Sequence, residues 1–206
     1  MALLPMFPLG TVLVPGAVLP LHVFEPRYRA LVADCLAGEP EFGVVLIERG
    51  SEVGGGDVRR VVGTVARILE VAELPGERFA LMTAGVRRIR IVDWLADDPY
   101  PRAEVEDWPD EPDDQAEDGA PSLDEVFGRL RRVLALQTEL GEPAAPATAE
   151  RADDPVLATY HATALAPLGP DDRYRLLTAP GPAARRQLLD SLLTEAEETL
   201  RFRLSP

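Results

Sequence analysis

The chain has 206 residues, 46% of them hydrophobic, and a formal net charge of −14. All 21 of its basic residues are arginine. The absence of lysine excludes a Walker-type phosphate loop, a serine–lysine dyad, a Schiff base and a pyridoxal phosphate site, since each needs an amine.

From the N-terminus, Met1 to Pro5 has no charged n-region and meets a proline at once, so no signal peptide is expected. Nowhere does the chain approach the roughly 18 consecutive apolar residues of a membrane helix. Val18 to Phe24 reads as a strand. Pro26 after Glu25 is suited to open a helix and Gly38 to end it, with Tyr28, Leu31, Val32, Cys35 and Leu36 forming one apolar stripe. Cys35 thus faces inward. With no lysine and no nearby histidine to lower its pKa, it is expected to be an inert core thiol. As the single cysteine it leaves no internal disulfide and fits a reducing cytosol.

Phe42 to Ile47 is a short apolar run expected as a buried strand. Gly54-Gly55-Gly56 lacks a basic residue until Arg59 and reads as a surface loop rather than a phosphate cradle. Arg60 to Leu74, the turn Pro75-Gly76 and Phe79 to Thr83 predict a hairpin. Gly85 then predicts a bulge or corner, as in a small barrel, before further strands at Val86 to Val92 and Ala103 to Trp108.

Net charge is uneven: −5 over residues 1–108, −9 over 109–154 and zero over 155–206. The excess concentrates around an acidic, Pro/Gly-containing linker at 109–121, which includes Asp110, Glu111, Asp113 and Asp114. Ser122 and Glu125 form a capping-box pattern before a helix that carries Leu123, Val126, Phe127, Leu130, Val133 and Leu134 on one side. An Ala/Pro-rich segment from Glu142 to Asp153 follows. Asp154-Pro155, Pro170 and Pro182 open three more helices, the last with Leu188, Leu189, Leu192, Ala196 and Leu200 at helical spacing. The organisation is α+β: a strand-rich subdomain at 1–108, the linker at 109–121 and a helical bundle at 122–206.

Phe7-Pro8-Leu9, Val14-Pro15-Gly16 and the run Leu19-Pro20-Leu21-His22-Val23-Phe24-Glu25-Pro26-Arg27-Tyr28-Arg29 resemble the opening of the Lon protease N-terminal, substrate-binding domain. Phe42-Gly43-Val44-Val45, Val62-Gly63-Thr64-Val65-Ala66 and Gly85 to Arg90 follow in the family's order, and Ala166-Pro167-Leu168 with the closing helix is similar to its end. The resemblance implies a PUA-like β-barrel with one helix, followed by an α-helical bundle. It implies a stand-alone, cytoplasmic, non-enzymatic module without cofactor. Such a module binds unfolded or partly folded polypeptides, presenting or withholding them for a separate ATP-dependent protease. The alternative is a scaffold for one folded partner protein.

His22, Glu25 and Tyr28 in that run could all move protons, but packing and helix initiation account for them more simply. His22 and His161 make no metal motif, no serine sits in a Gly-x-Ser-x-Gly elbow, and the acids at 110–118 lack the spacing of a calcium loop. The expected polypeptide-contact residues are Phe24 and Arg27 at the strand–helix corner, with the cleft against the bundle as the other location. Arg87, Arg88 and Arg90 concentrate positive charge and keep an RNA-binding alternative open, since PUA-like folds can bind RNA. In an alternating strand Arg88 and Arg90 share a face and Arg87 lies opposite. Pairing with the abundant carboxylates is preferred, and the chain's acidity opposes binding to DNA or an anionic membrane.

Overall fold

The computed structural model describes residues 1–52, 56–112, 119–146, 148 and 151–205. Its backbone is organised by one long hairpin. The β-branched runs on either side of Pro75-Gly76 form β4 (Val58–Leu74) and β5 (Arg78–Trp94), joined through Gly76 at φ 80° and Glu77 at φ 57°. Two successive left-handed residues turn the chain tightly, and glycine makes one of them free of Cβ strain. The strands before and after the hairpin are β1 (Ala2–Leu9), β2 (Val18–Val23), β3 (Glu41–Arg49) and β6 (Arg102–Asp107), with helix α1 (Pro26–Ala37) between β2 and β3.

These strands make one six-stranded mixed sheet in the order β2-β5-β4-β3-β1-β6, with β5 also pairing to β6. Only β1 and β3 are parallel; every other pair is antiparallel. The expected PUA-like β-barrel is therefore corrected to a mixed sheet that ends at β2. That strand pairs with β5 alone, whereas a barrel gives each strand two partners. Gly85, where a bulge or corner is expected, does not end the strand. The chain instead runs on as a single 17-residue β5, and β2 and β6 take successive stretches of its edge opposite β4. The break predicted there is a bulge: Val65 pairs with Arg87 and Ala66 with Gly85, leaving Val86 over.

Gly85 is needed for close approach. A Cβ built there would lie 2.3 Å from the Val14 carbonyl oxygen, because the Val14–Ala17 loop bonds directly to it: Gly16 N–H donates to Gly85 O and Gly85 N–H to Ala17 O, both at 2.9 Å.

Alternation along the strands sends apolar side chains to two clusters. Phe7, Val44, Leu81 and the buried face of α1 meet in one; Met6, Val45, Val65, Ile89 and Val105 meet in the other. In the first, Phe7 stacks on Tyr28 at 4.0 Å and 12°. Tyr28, Leu31, Val32 and Cys35 of α1 are buried as the stripe predicts, while Leu36 is exposed. Gly38 caps α1 but at φ −124°, outside the left-handed region. Cys35 Sγ donates to Glu41 O at 3.4 Å, and burial pushes its thiol up to about 11.

The chain divides into two compact units, Met1–Pro109 and Asp110–Pro206. The second is an α-helical bundle of α2 (Leu123–Glu139), α3 (Pro155–Leu165), α4 (Pro170–Leu177) and α5 (Pro182–Leu204). Ser122 and Glu125 close the predicted capping box, and Asp154 Oδ1 accepts from Leu157 N–H at 2.8 Å. Leu130, Val133, Leu134, Leu176, Leu189 and Leu193 fill the core. The bundle also buries charge. Arg185 is fully buried and donates to Leu176 O at 3.1 Å, Thr159 Oγ1 at 2.8 Å, Tyr160 Oη at 2.8 Å and Asp110. Of the acidic linker expected at 109–121, residues 113–118 lie outside the described residues, as do Gly54 and Gly55. At its start, Asp110 accepts from Arg185 and Tyr160, and Glu111 N–H donates to Pro180 O at 2.9 Å.

Two pairs of substitutions check this description. Gly85→Ala should lower stability by about 2 kcal/mol through overpacking against backbone. Gly128→Ala, whose new Cβ would meet nothing nearer than Arg132 Nη1 at 3.8 Å, should raise it by up to about 1 kcal/mol. Arg185→Met leaves Asp110 without its guanidinium and should cost about 3 kcal/mol, with Asp110→Asn milder because the amide oxygen still accepts. Urea midpoints at constant m-value read all four, and equal midpoints for Gly85→Ala and wild type would refute the close approach.

Candidate functional site

The corner between β2 and α1 is set by its own residues. Pro26 occupies the first helical position, where a missing N–H costs nothing. Arg27 then locks the corner: its Nε donates to Glu25 Oε2 at 3.1 Å, its Nη2 to Glu52 O at 3.1 Å, and its guanidinium lies 4.4 Å from the Tyr28 ring centroid. Glu52 in turn accepts from Gly10 N–H at 2.5 Å. Phe24 is left outside this network and is 54% exposed. A small cavity of about 160 Å³ lies beside it, lined by Phe7, Leu9, Leu21, Phe24, Glu25 and Tyr28 among others.

No proton-transfer site forms from His22, Glu25 and Tyr28. Glu25 is paired with Arg27, His22 is exposed, and no hydrogen bond joins the three. Tyr28 is buried, which pushes its phenol up to about 12. Such a group holds its proton throughout the neutral range.

β2 itself offers more than the corner. Its pairing with β5 runs from Val18–Ala84 to Val23–Phe79 without a register shift. Gly85 N–H bonding to Ala17 O fixes the phase of that ladder. In an antiparallel pair this phase turns the backbone groups of Leu19, Leu21 and Val23 toward β5 and those of Val18, Pro20 and His22 outward. The outward edge is met by no strand among the described residues. Side chains obey the same alternation. Leu19, Leu21 and Val23 pack on the core, whereas Val18, Pro20 and His22 are exposed beside Met82, which lies opposite Pro20. The bulge between Ile68 and Glu70 adds exposed Leu69 on the neighbouring β4. An unpaired strand edge thus adjoins an apolar surface. Sequence reading passed over Val18, Met82 and Leu69. The available signal was Pro20, because a proline inside a strand marks an edge.

The three arginines of β5 are differently placed. Arg87 donates to Glu41 Oε2 at 2.8 Å and Asp107 Oδ1 at 2.9 Å. Arg88 is 3% exposed, with its guanidinium 4.4 Å from the Trp108 ring, and Arg90 lies 4.6 Å from the same ring and 3.8 Å from Glu106. Arg88 and Arg90 thus meet on one aromatic side chain while Arg87 turns to carboxylates. Burial alone would raise the Glu41 pKa, but hydrogen bonds from Arg87 and Arg67 hold it below the ordinary value. Among the described residues no group of three or more His, Cys, Asp or Glu is placed to hold a metal ion, and no helix is long and apolar enough to cross a membrane.

Comparison with known proteins places this geometry. A family model described as the ATP-dependent protease La (LON) substrate-binding domain matches residues 3–195. Lon protease 2 of Myxococcus xanthus is 29% identical over 209 residues, which cover 97% of this chain and 24% of that protein. Lon protease 2 of Herpetosiphon aurantiacus is 32% identical over 202 residues, covering 96% and 23%. The chain spans a quarter or less of the length of these curated relatives. The crystal structure of a Lon N-terminal domain protein from Xanthomonas campestris superposes with a TM-score of 0.66 at 30% identity, covering 94% of this chain and 98% of that one. The chain belongs to the Lon substrate-binding domain family, and what it matches is the non-catalytic N-terminal domain rather than the ATPase or the peptidase.

Proposed function

We propose that this chain is a cytoplasmic polypeptide-binding module that presents or withholds partly unfolded clients for an ATP-dependent protease. The observation that carries the reading is the unpaired edge of β2 beside exposed Val18, Pro20, Met82 and Phe24. An extended client adds to that edge as a further strand. Val18 and His22 supply both donors and acceptors to it, while Pro20 supplies only its carbonyl. Main-chain bonding of this kind is indifferent to client sequence, and apolar client side chains gain by covering the adjoining surface. Phe24 is the contact residue of the corner. Arg27 is a positioning residue, since its contacts with Glu25, Glu52 and Tyr28 fix the turn that presents Phe24. Arg87, Arg88 and Arg90 serve the sheet, and the net charge of −14 opposes phosphate ligands.

Fluorescence anisotropy with labelled, reduced and carboxymethylated α-lactalbumin tests the reading against the native protein and a single-stranded RNA. The unfolded form should bind, with modest salt dependence because burial rather than charge drives it. Phe24→Ala should weaken binding about tenfold at unchanged thermal stability, given its exposure, and Arg90→Ala should not. Preference for the native form would favour the single-partner scaffold. Tight RNA binding that falls steeply with salt would overturn the proposal.

A further inference from the structure

The helical unit carries a second concave surface. The end of α2, the connection between α3 and α4, and the last turns of α5 enclose an open groove of about 330 Å³. Helical spacing makes its floor: Leu192, Ala196 and Leu200 recur every four residues along α5 and face Leu168. The rim is acidic, with Glu142, Asp172 and Glu195 against a single guanidinium, Arg203. Arg203 Nη2 pairs with Glu142 Oε1 at 2.5 Å, and Asp172 accepts from the largely exposed Arg175 at 2.9 Å. Glu195 is exposed, and its carboxylate enters none of the ion pairs or hydrogen bonds of the described residues. Gln137 also lines the groove, and its Oε1 is buried with no hydrogen-bond partner.

An apolar floor and excess negative charge define the ligand by complement. Anions are repelled, and a purely apolar group would desolvate the rim carboxylates without pairing them. A cation on an apolar stem meets both demands, because its methylenes cover leucine while its charged head reaches the rim. The volume lies at the small end of ligand sites, roughly 300–1,000 Å³, so it accommodates one or two side chains rather than a folded surface.

We propose that this groove is a second recognition site, specific for a short basic–apolar polypeptide segment. An arginine or lysine sits against Glu195, and a leucine-sized neighbour lies on Leu168, Leu192 and Leu200. The groove selects by charge, whereas the β2 edge favours apolar cover and is indifferent to charge. The two sites involve different residues, so either can fail without the other.

The test is NMR titration of the ¹⁵N-labelled full chain with the capped peptide acetyl-Leu-Arg-Leu-Leu-amide, alongside its acidic counterpart acetyl-Leu-Glu-Leu-Leu-amide. The basic peptide should shift the backbone amides of Leu168, Gly169, Ala196 and Thr199, and the acidic one should leave them in place. Glu195→Arg lies on an exposed helix face and should keep the fold while weakening the basic peptide at least about tenfold, with Glu195→Gln intermediate. Equal response to both peptides, shifts confined to residues outside the groove, or unchanged affinity in Glu195→Arg would each overturn the proposal.

Discussion

A strand has two edges, and β5 fills its pair with three partners. β4 runs along one edge for almost the whole strand, while β2 and then β6 divide the other. The division requires the chain to come and go beside β5 at Gly85, where any side chain would strike the Val14 carbonyl. From this follow the length of the hairpin, the phase of the β2 ladder and hence the identity of the residues at its open edge. The surface proposed for client binding is a consequence of how β5 is shared, and Gly85 is the residue on which that sharing turns.

Arginine is the other recurring constraint. With no lysine, every cationic role falls to a planar group with five donors that binds several acceptors at once and tolerates burial when they are met. Arg185 joins α3, α4 and α5 to the start of the second unit, Arg87 holds Glu41 and Asp107 together, and Arg27 ties the β2–α1 corner to Glu52. Glu197 shows the converse, a buried carboxylate with Arg129, Arg132 and Arg201 around it. A lysine could not replace these forks, because one ammonium on a flexible stem does not bridge planar partners. Among the arginines of the described residues, only Arg88 and Arg185 are buried outright, and the net charge of −14 leaves the chain acidic overall.

The two proposed surfaces differ in what they ask of a ligand. The β2 edge offers backbone groups and apolar cover, so it is tolerant of sequence. The groove in the helical unit is shaped by side chains and reads charge. Tolerance combined with a charge preference suits a module that engages many clients but not all of them.

Local chemistry was legible in the sequence. Pro26, the Ser122–Glu125 box, Asp154-Pro155 and Pro182 fixed helix starts, because capping and proline geometry depend only on neighbouring residues. The stripe Tyr28, Leu31, Val32, Cys35 fixed the buried face of α1, and the motif from Leu19 to Arg29 fixed the family. Non-local pairing was not legible. Nothing in residues 78–94 announces that the strand continues through Gly85, since a glycine required by close backbone approach looks the same as one required by a corner. The barrel expectation came with the family resemblance, and the same gap hid β1, whose Pro5 and Pro8 weaken a strand signal that its partners β3 and β6 restore. Arg87, Arg88 and Arg90 show the limit most plainly. Sequence placed three cations together and put Arg87 on the opposite face. Only the tertiary structure decided that Glu41 and Asp107 meet Arg87 while Trp108 lies beneath Arg88 and Arg90, because those partners arrive from β3 and from the end of β6, far away along the chain and adjacent only once the sheet has formed.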